Sequence, residues 1–158
     1  MLLKELPLLE NFEKIKTEVY SLLEQHKNPY QLCLQGRTEN FLDWGDGTGS
    51  IKEDESIFCN LHPSLQGSEI EKVIKRHSGL RTRIMRMNQK YCYSVHKDKS
   101  KRIHIPITTN EHAWMVWPYD QFCARLEEGK MYLTDTTRLH SFFNGATVDR
   151  IHLVMCVY

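Results

Sequence analysis

The sequence predicts a mainly β fold, a small jelly-roll barrel preceded by helices that cover one of its sheets. Two amphipathic helical segments lie in the first half of the 158-residue chain, and short strand-like segments separated by polar turns fill the second half. Several short strands behind helices are typical of a barrel with helices packed outside one sheet. A chain of this length suits a single domain. We expect residues 1–79 to form helices and covering segments, and residues 80–158 to form the barrel core.

The two helices are indicated by their apolar spacing and their end signals. Over residues 8–25, apolar side chains recur at intervals of three and four between charged ones, and Asn28-Pro29 follows. The second helix begins at the capping box Ser68-Glu-Ile-Glu71. Gly79 stands where a left-handed C-cap belongs, which predicts that the second helix ends there.

The segment between the helices predicts a short strand and then a loop. Residues 30–35 have strand composition, whereas residues 36–49 contain four glycines and few apolar side chains. The stretch Gly45-Asp-Gly-Thr-Gly-Ser50 lacks the lysine of a phosphate-binding P-loop, and no strand-to-helix context follows it. We therefore expect this stretch to be a loop, and a candidate lid over a site, and not a nucleotide site.

From residue 80 onward the chain alternates strands and turns. Asn88-Gln-Lys90 is typical of a hairpin turn between the first two strands. The predicted strands span residues 80–87, 91–97, 102–109, 113–117, 130–135, 141–144 and 149–157.

Charge and composition exclude several classes of protein. The net charge of +1 leaves no broad basic surface for nucleic acid, and no apolar run approaches the roughly 20 residues that span a bilayer. The N-terminus lacks the apolar core of a signal peptide, so a cytoplasmic protein is expected. The five cysteines are widely spread without a Cys-x-x-Cys pair, which indicates reduced thiols and neither disulfides nor a thiolate zinc site.

A candidate metal site begins in the segment that follows Tyr91. Side chains alternate between the faces of a strand, so His96 and Asp98 project side by side. An imidazole and a carboxylate so placed are adjacent ligands suited to Fe(II), Mn(II) or Zn(II). The isolated His140 is the candidate third ligand. Two histidines and one carboxylate outline a non-haem iron site.

Cationic residues on two strands indicate an anionic cosubstrate. Arg102 and His104 alternate with isoleucines, so one face of their strand is aliphatic and the other faces the barrel lumen. Arg150, ten positions after His140, and His152 alternate with apolar residues in the same way. Because a buried arginine is costly unless an anion pairs with it, a dicarboxylate is the expected partner.

Several of these residues together resemble the aspartyl/asparaginyl β-hydroxylase family. The resemblance covers about residues 80–158, with its elements in the family's order. This family comprises Fe(II)- and 2-oxoglutarate-dependent oxygenases with a double-stranded β-helix fold, and it includes proline cis-4-hydroxylase-like members. The matching segments are His96-Lys-Asp98, Arg102-Ile-His-Ile-Pro-Ile-Thr-Thr-Asn110, Glu128-Gly129, His140-Ser141, Asn144 and Asp149-Arg-Ile-His-Leu-Val154.

The resemblance implies a role for six residues. His96, Asp98 and His140 would be the facial triad that holds iron. Arg150 would bind the distal carboxylate of 2-oxoglutarate, with further contacts from Arg102 and His104. Asp98 stands where the animal aspartyl β-hydroxylases carry a glycine, so this chain looks closer to the free-amino-acid and bacterial or phage members. An aspartate at this position also argues against a halogenase.

The function implied by the resemblance is hydroxylation of an amino-acid side chain with O2 and 2-oxoglutarate. The substrate would be either a free amino acid, as in the proline-like members, or a residue within a protein, as in the Asp/Asn-like members. Two alternatives remain open. The first is a cupin-like module that binds a metal or small molecule without oxygenase activity, which would have no need of a buried Arg150. The second is an inactive, partner-binding relative, against which the complete triad speaks.

Overall fold

Twelve strands and two helices make up the computed structural model, which describes all residues from 1 to 158. The helices are α1 (Phe12–Gln25) and α2 (Glu69–His77). In chain order, the strands are β1 (Leu3–Leu6), β2 (Gln31–Cys33), β3 (Gln35–Gly36), β4 (Asn60–Leu61), β5 (Leu80–Met87), β6 (Tyr91–Cys92), β7 (Lys101–Thr108), β8 (Ala113–Trp117), β9 (Phe122–Ala124), β10 (Met131–Thr134), β11 (Ser141–Asn144) and β12 (Arg150–Val157).

The strands form two main antiparallel sheets that pack face to face. The major sheet has the order β1-β10-β7-β12-β5-β2, and the minor sheet has the order β6-β11-β8-β9. Met87 and Tyr132 of the major sheet pack in one cluster with Met115, Trp117 and Phe142 of the minor sheet. The predicted mainly β, jelly-roll fold with N-terminal helices is confirmed.

The helices cover the outer face of the major sheet, as expected from the alternation along β7. Ile103, Ile105 and Ile107 are buried in the same core cluster as Ile15 and Val19 of α1. Burial of each such aliphatic side chain is worth about 1.5–3 kcal/mol relative to exposure. The opposite face of the same strands is thereby turned toward the minor sheet and lines the barrel interior.

The helix ends differ in part from the prediction. The helix α1 starts at Phe12 and not at residue 8, because the side chain of Asn11 caps it by accepting from Lys14 N at 3.1 Å. In α2 Ser68 caps the first turn as predicted, but the capping box is incomplete, because Glu71 accepts from Gly67 N at 2.6 Å and not from Ser68 N. The left-handed C-cap is Ser78 with φ 50° and not Gly79. Gly79 has another role, since a Cβ there would lie 2.7 Å from Sδ of Met155.

Removal of the α2 cap gives a first testable expectation. Ser68 Oγ accepts from Glu71 N at 3.0 Å, which satisfies one of the free N–H groups of the first turn. We expect Ser68→Ala to lower the free energy of unfolding by about 1 kcal/mol, measured by urea denaturation. Ser21→Ala, on the exposed part of α1, is the matched control and should leave stability unchanged or slightly higher. Equal stability of the two variants would contradict the capping role.

Short strands account for most of the other differences. The sequence did not predict β1, β4 or β9, and β1 adds to the edge of the major sheet by pairing with β10. The strand predicted over 91–97 ends at Cys92. One further backbone hydrogen bond, from Tyr93 N to Phe142 O at 3.0 Å, follows it, and the next pairing is the isolated bridge at His96. Neither helix has the length and apolar character that crossing a bilayer requires.

Candidate active site

The three predicted metal ligands converge through backbone pairing between two distant segments. His96 and His140 form an antiparallel bridge, with His96 N donating to His140 O at 3.0 Å and His140 N donating to His96 O at 2.8 Å. Asp98 N donates to Thr136 O at 2.8 Å, which fixes the next residue on the same face. One ligand atom from each of His96, Asp98 and His140 lies within 4.8 Å of the others.

Both imidazoles are oriented by backbone carbonyls. Nδ1 of His96 lies 2.8 Å from the carbonyl of Ser94, and Nδ1 of His140 lies 2.9 Å from that of Arg138. Because a carbonyl only accepts, each Nδ1 carries its hydrogen, and each Nε2 keeps a free lone pair. Burial lowers the pKa of His140, against the opposing effects of the Arg138 carbonyl and Asp98. A neutral imidazole is the form that binds a metal.

The donor set fits a divalent iron ion. Two imidazole nitrogens and one carboxylate oxygen match the two-histidine, one-carboxylate arrangement of non-haem iron sites. Asp98 is itself oriented, since its Oδ1 lies 3.4 Å from a guanidinium nitrogen of Arg102 and its Oδ2 lies 3.8 Å from His140 Nε2.

The triad opens into a cavity of about 570 Å³ between the two sheets. Its charged lining is strongly unbalanced, because six cationic side chains face only two anionic ones, and such a cavity favours anionic ligands. The charged lining residues are Glu55, Arg81, Arg83, Lys97, Asp98, Lys99, Arg102 and Arg150.

Arg150 is a buried cation without an anion. It is 2% exposed, lines the cavity, and its Nε has no hydrogen-bond partner. The guanidinium lies 4.4 Å from the centre of the Phe142 ring. Burial lowers the pKa of Arg150 to about 10, partly opposed by Tyr93, so the side chain stays cationic at neutral pH. The predicted position of Arg150 inside the barrel therefore agrees with the structure.

His104 also faces the cavity, with a second histidine behind it. Its Nδ1 lies 3.3 Å from Nδ1 of His152, and Nε2 of each ring has no partner in the protein. Burial and the charge of Arg150 lower the pKa of both histidines well below the ordinary value, so both are neutral. A neutral pair in this contact shares one hydrogen between the two Nδ1 atoms.

Arg102, in contrast, has its partner within the protein. Its Nη atoms bind Glu55 at 2.6 and 3.1 Å, and the same carboxylate receives Arg81 at 2.8 Å. Glu55 is only 3% exposed, so the three side chains form a buried ion network beside Asp98. The direct contact of Arg102 with a cosubstrate stays a prediction, and what the structure adds is its contact with Asp98.

Sequence reasoning missed Glu55, Arg81 and Arg83 among the cavity residues. Glu55 lies in a single 3-10 turn after the glycine-rich loop, where no periodic pattern marks it. The two arginines could have been predicted, because they alternate with Thr82 and Ile84 along a strand. The same alternation was the basis for predicting that Arg102 and Arg150 face the barrel interior.

Only the end of the glycine-rich loop reaches the cavity. Gly49, Ser50 and Ile51 line it, and Arg81 donates to the carbonyls of Gly47 at 2.7 Å and Gly49 at 2.6 Å. Trp44 lies elsewhere and stacks on His62 with ring centres 3.9 Å apart.

Comparisons with known proteins extend the sequence resemblance. Two structures of the viral collagen prolyl hydroxylase vCPH from Paramecium bursaria Chlorella virus-1 share the fold. A truncated form gives a TM-score of 0.62 at 9% identity, covering 99% of this chain and 91% of that chain. Its 2-oxoglutarate complex gives 0.57 at 10% identity, covering 99% and 97%. No individually curated protein gives a significant match.

A family profile supplies the assignment. The profile described as aspartyl/asparaginyl beta-hydroxylase matches residues 9–158, which is nearly the whole chain and more than the region that carried the resemblance. The prediction of a hydroxylase is thereby confirmed. Since the match includes both helices and the residues of the triad, the chain belongs to the aspartyl/asparaginyl β-hydroxylase family.

Proposed function

We propose that this protein is an Fe(II)- and 2-oxoglutarate-dependent dioxygenase that hydroxylates an amino-acid side chain, either free or within a peptide. The overall reaction converts 2-oxoglutarate, O2 and a C–H group to succinate, CO2 and a C–OH group. Family membership and the fit of the His-Asp-His donor set support this proposal. The observation that carries it is the buried guanidinium of Arg150, which no carboxylate of the protein balances and which lies in the same cavity as the triad.

Iron held by His96, Asp98 and His140 would supply the oxidation of the C–H bond, with three coordination positions left for 2-oxoglutarate and oxygen. The rest of the chain binds and orients. Arg150 presents a planar fork that matches the distal carboxylate of 2-oxoglutarate in a bidentate contact. Phe142 beneath this guanidinium keeps water from the ion pair and so strengthens it.

His104 would act as a hydrogen-bond donor to the same cosubstrate. We place the shared hydrogen of the histidine pair on Nδ1 of His152, so that His104 carries its own hydrogen on Nε2. This tautomer directs a neutral donor into the cavity, where an anionic oxygen accepts it. The contact between Asp98 and Arg102 holds the carboxylate ligand in one orientation.

The role of Arg150 is tested by Arg150→Met, which removes the charge and keeps an apolar side chain. We expect affinity for 2-oxoglutarate to fall by at least about 30-fold, because loss of one partner of a buried charge pair costs roughly 2–5 kcal/mol. Iron binding should be retained, since Arg150 does not contact the triad. The measurement is an anaerobic titration of the Fe(II) protein with 2-oxoglutarate, followed by the weak visible charge-transfer band.

Arg86→Met is the matched control for this test. Arg86 is an arginine of β5 that forms a partly buried pair with Asp149 at 2.8 Å and does not line the cavity. It should bind 2-oxoglutarate like the wild type. Equal affinity in Arg150→Met would remove the proposed role of Arg150. Metal binding by the wild type without any 2-oxoglutarate affinity would favour the alternative of a cupin-like binding module.

A further inference from the structure

A second buried arginine without an anion lies at another point of the same cavity. Arg83 on β5 is 6% exposed and lines the cavity. Its Nε has no partner, and its one side-chain hydrogen bond is long, at 3.4 Å from Nη1 to Oε1 of Gln31. A neutral amide does not balance a buried positive charge. Arg83 therefore has the same need for an anion as Arg150.

No group of the protein supplies that anion. Glu55, the nearby buried carboxylate, is engaged by Arg81 and Arg102. The cysteines beside Arg83 are not thiolates, because burial raises the pKa of Cys33 and raises that of Cys156 to about 11. Burial is the largest influence on Arg83 itself and lowers its pKa, with a further lowering by the charge of Arg81.

The positions of Arg83 and Arg150 in the major sheet are separate. Arg83 pairs across β12 with Val154, which is also the partner of His104, whereas Arg150 pairs with Met87. The two rows thus lie four residue steps apart along β12, which is about 13 Å at 3.3 Å per residue. The cations that act most on Arg83 are Arg81 and Arg102, and not Arg150. The two arginines therefore call for two different carboxylates. In the proposed function Arg150 takes the distal carboxylate of 2-oxoglutarate and the other end of this molecule faces the iron, so the anion for Arg83 comes from another molecule.

We propose that Arg83 binds a carboxylate of the substrate, so that the substrate class is amino-acid derivatives with a free carboxylate. This inference rests on the proposed function, in which Arg150 takes the distal carboxylate of 2-oxoglutarate. His104 lies in the row of Arg83 and lines the cavity with the triad, so a substrate held by Arg83 lies beside the metal site. Gly49, Ser50 and Ile51 complete the lining near this end, where Gly49 N donates to the Gln31 oxygen that also receives Arg83.

A panel of substrates distinguishes the two possible sources of this carboxylate, the α-carboxylate of a free amino acid and an acidic side chain in a peptide. Wild-type protein with Fe(II), 2-oxoglutarate and O2 is incubated with free L-amino acids, with their C-terminal amides, and with end-capped peptides that contain either Asp or Asn. Succinate and the hydroxylated product are measured. Turnover of a free amino acid but not of its amide identifies the α-carboxylate, and turnover of the capped Asp peptide but not the Asn peptide identifies an acidic side chain. Turnover of neutral compounds alone would overturn the proposal, as would turnover of no panel member.

Arg83→Met then tests the residue itself. We expect kcat/KM for the carboxylate substrate to fall by at least about 30-fold, mainly through KM, with 2-oxoglutarate affinity unchanged. Arg83→Lys should recover part of the loss, because it keeps the charge without the fork. Arg86→Met, from the same strand, should behave as wild type. An unchanged KM in Arg83→Met would overturn the assignment.

Stability separates a binding role from a structural one. A cation buried without a partner costs stability, so the ligand-free Arg83→Met protein should unfold at the same temperature as wild type or higher. A lower midpoint would show that Arg83 is structural and would overturn the proposal. Failure of the proposed function would give a different result, because the wild-type protein with Fe(II) would then show no charge-transfer band on addition of 2-oxoglutarate.

Discussion

His140→Ala is expected to abolish iron binding while the fold is kept. The substitution removes one of three ligand side chains, but the bridge to His96 consists of backbone hydrogen bonds that alanine also forms. Changes to the partners that merely orient ligands cost about 10–100-fold in metal affinity, so loss of a ligand itself should cost more than about 100-fold. The charge-transfer band with 2-oxoglutarate and all succinate formation should disappear with it.

The measurement is anaerobic Fe(II) titration of wild type and variant, with thermal unfolding of the metal-free proteins in parallel. His112→Ala is the control, since His112 is an exposed histidine outside the cavity, with its side chain 63% accessible. Wild-type affinity in His140→Ala would refute the iron site. A large fall in the unfolding midpoint would instead show that the ring itself supports the fold.

Glu55→Gln should produce the largest loss of stability. The carboxylate balances two arginines, Arg81 and Arg102, which are 4% and 3% exposed. Removal of one partner from a buried ion network leaves uncompensated charge and typically costs about 3–5 kcal/mol. We expect this reduction in the free energy of unfolding by urea denaturation, together with weaker iron binding because Arg102 also orients Asp98.

Glu53→Gln, two positions earlier, is the matched control. Glu53 is exposed and pairs with Arg37 at 3.6 Å, and such surface pairs contribute about 0–1 kcal/mol. If Glu55→Gln were as stable as Glu53→Gln, the two buried arginines would have other acceptors and the network would not stabilise the fold.

The carboxylate of Glu55 should also make the stability of the fold depend on pH, and the direction of this dependence follows from its pKa. Burial alone would raise the pKa of Glu55, but Arg102, Ser100 and Arg81 together lower it below the ordinary value of 4.5. A group with a lowered pKa in the folded state stabilises the protein above its unfolded pKa and ceases to do so as the pH falls through the folded pKa. The stability difference between wild type and Glu55→Gln should therefore be full at neutral pH and shrink in acid below about pH 4.5.

Most of the site could be predicted from the alternation of side chains between the two faces of a strand. Local geometry predicts that His96 shares a face with Asp98 and that Arg102 shares a face with His104, because residues two apart on extended backbone point to the same side. The lumen position of Arg150 followed in the same way, since its strand is apolar on the other side. The third ligand, His140, came from family resemblance and an isolated position, because a bridge across 44 residues has no local signature.

What escaped prediction depends on tertiary partners. The strand β1 is four residues long and only half-buried, and pairing with β10 is what makes it a strand. The apolar spacing of α1 continues back to Leu8, so periodicity alone could not reveal that Asn11 caps the helix. Glu55 is defined by arginines 26 and 47 positions later in the chain, and no local pattern relates them.

In the proposed function, the backbone of β12 sets the distance between the carboxylate bound by Arg150 and the carboxylate bound by Arg83 in the row of Val154. Moving one of these positions by a single residue would turn its side chain from the lumen into the aliphatic core beneath the helices. The spacing is therefore adjustable only in steps of two residues, about 6.6 Å each.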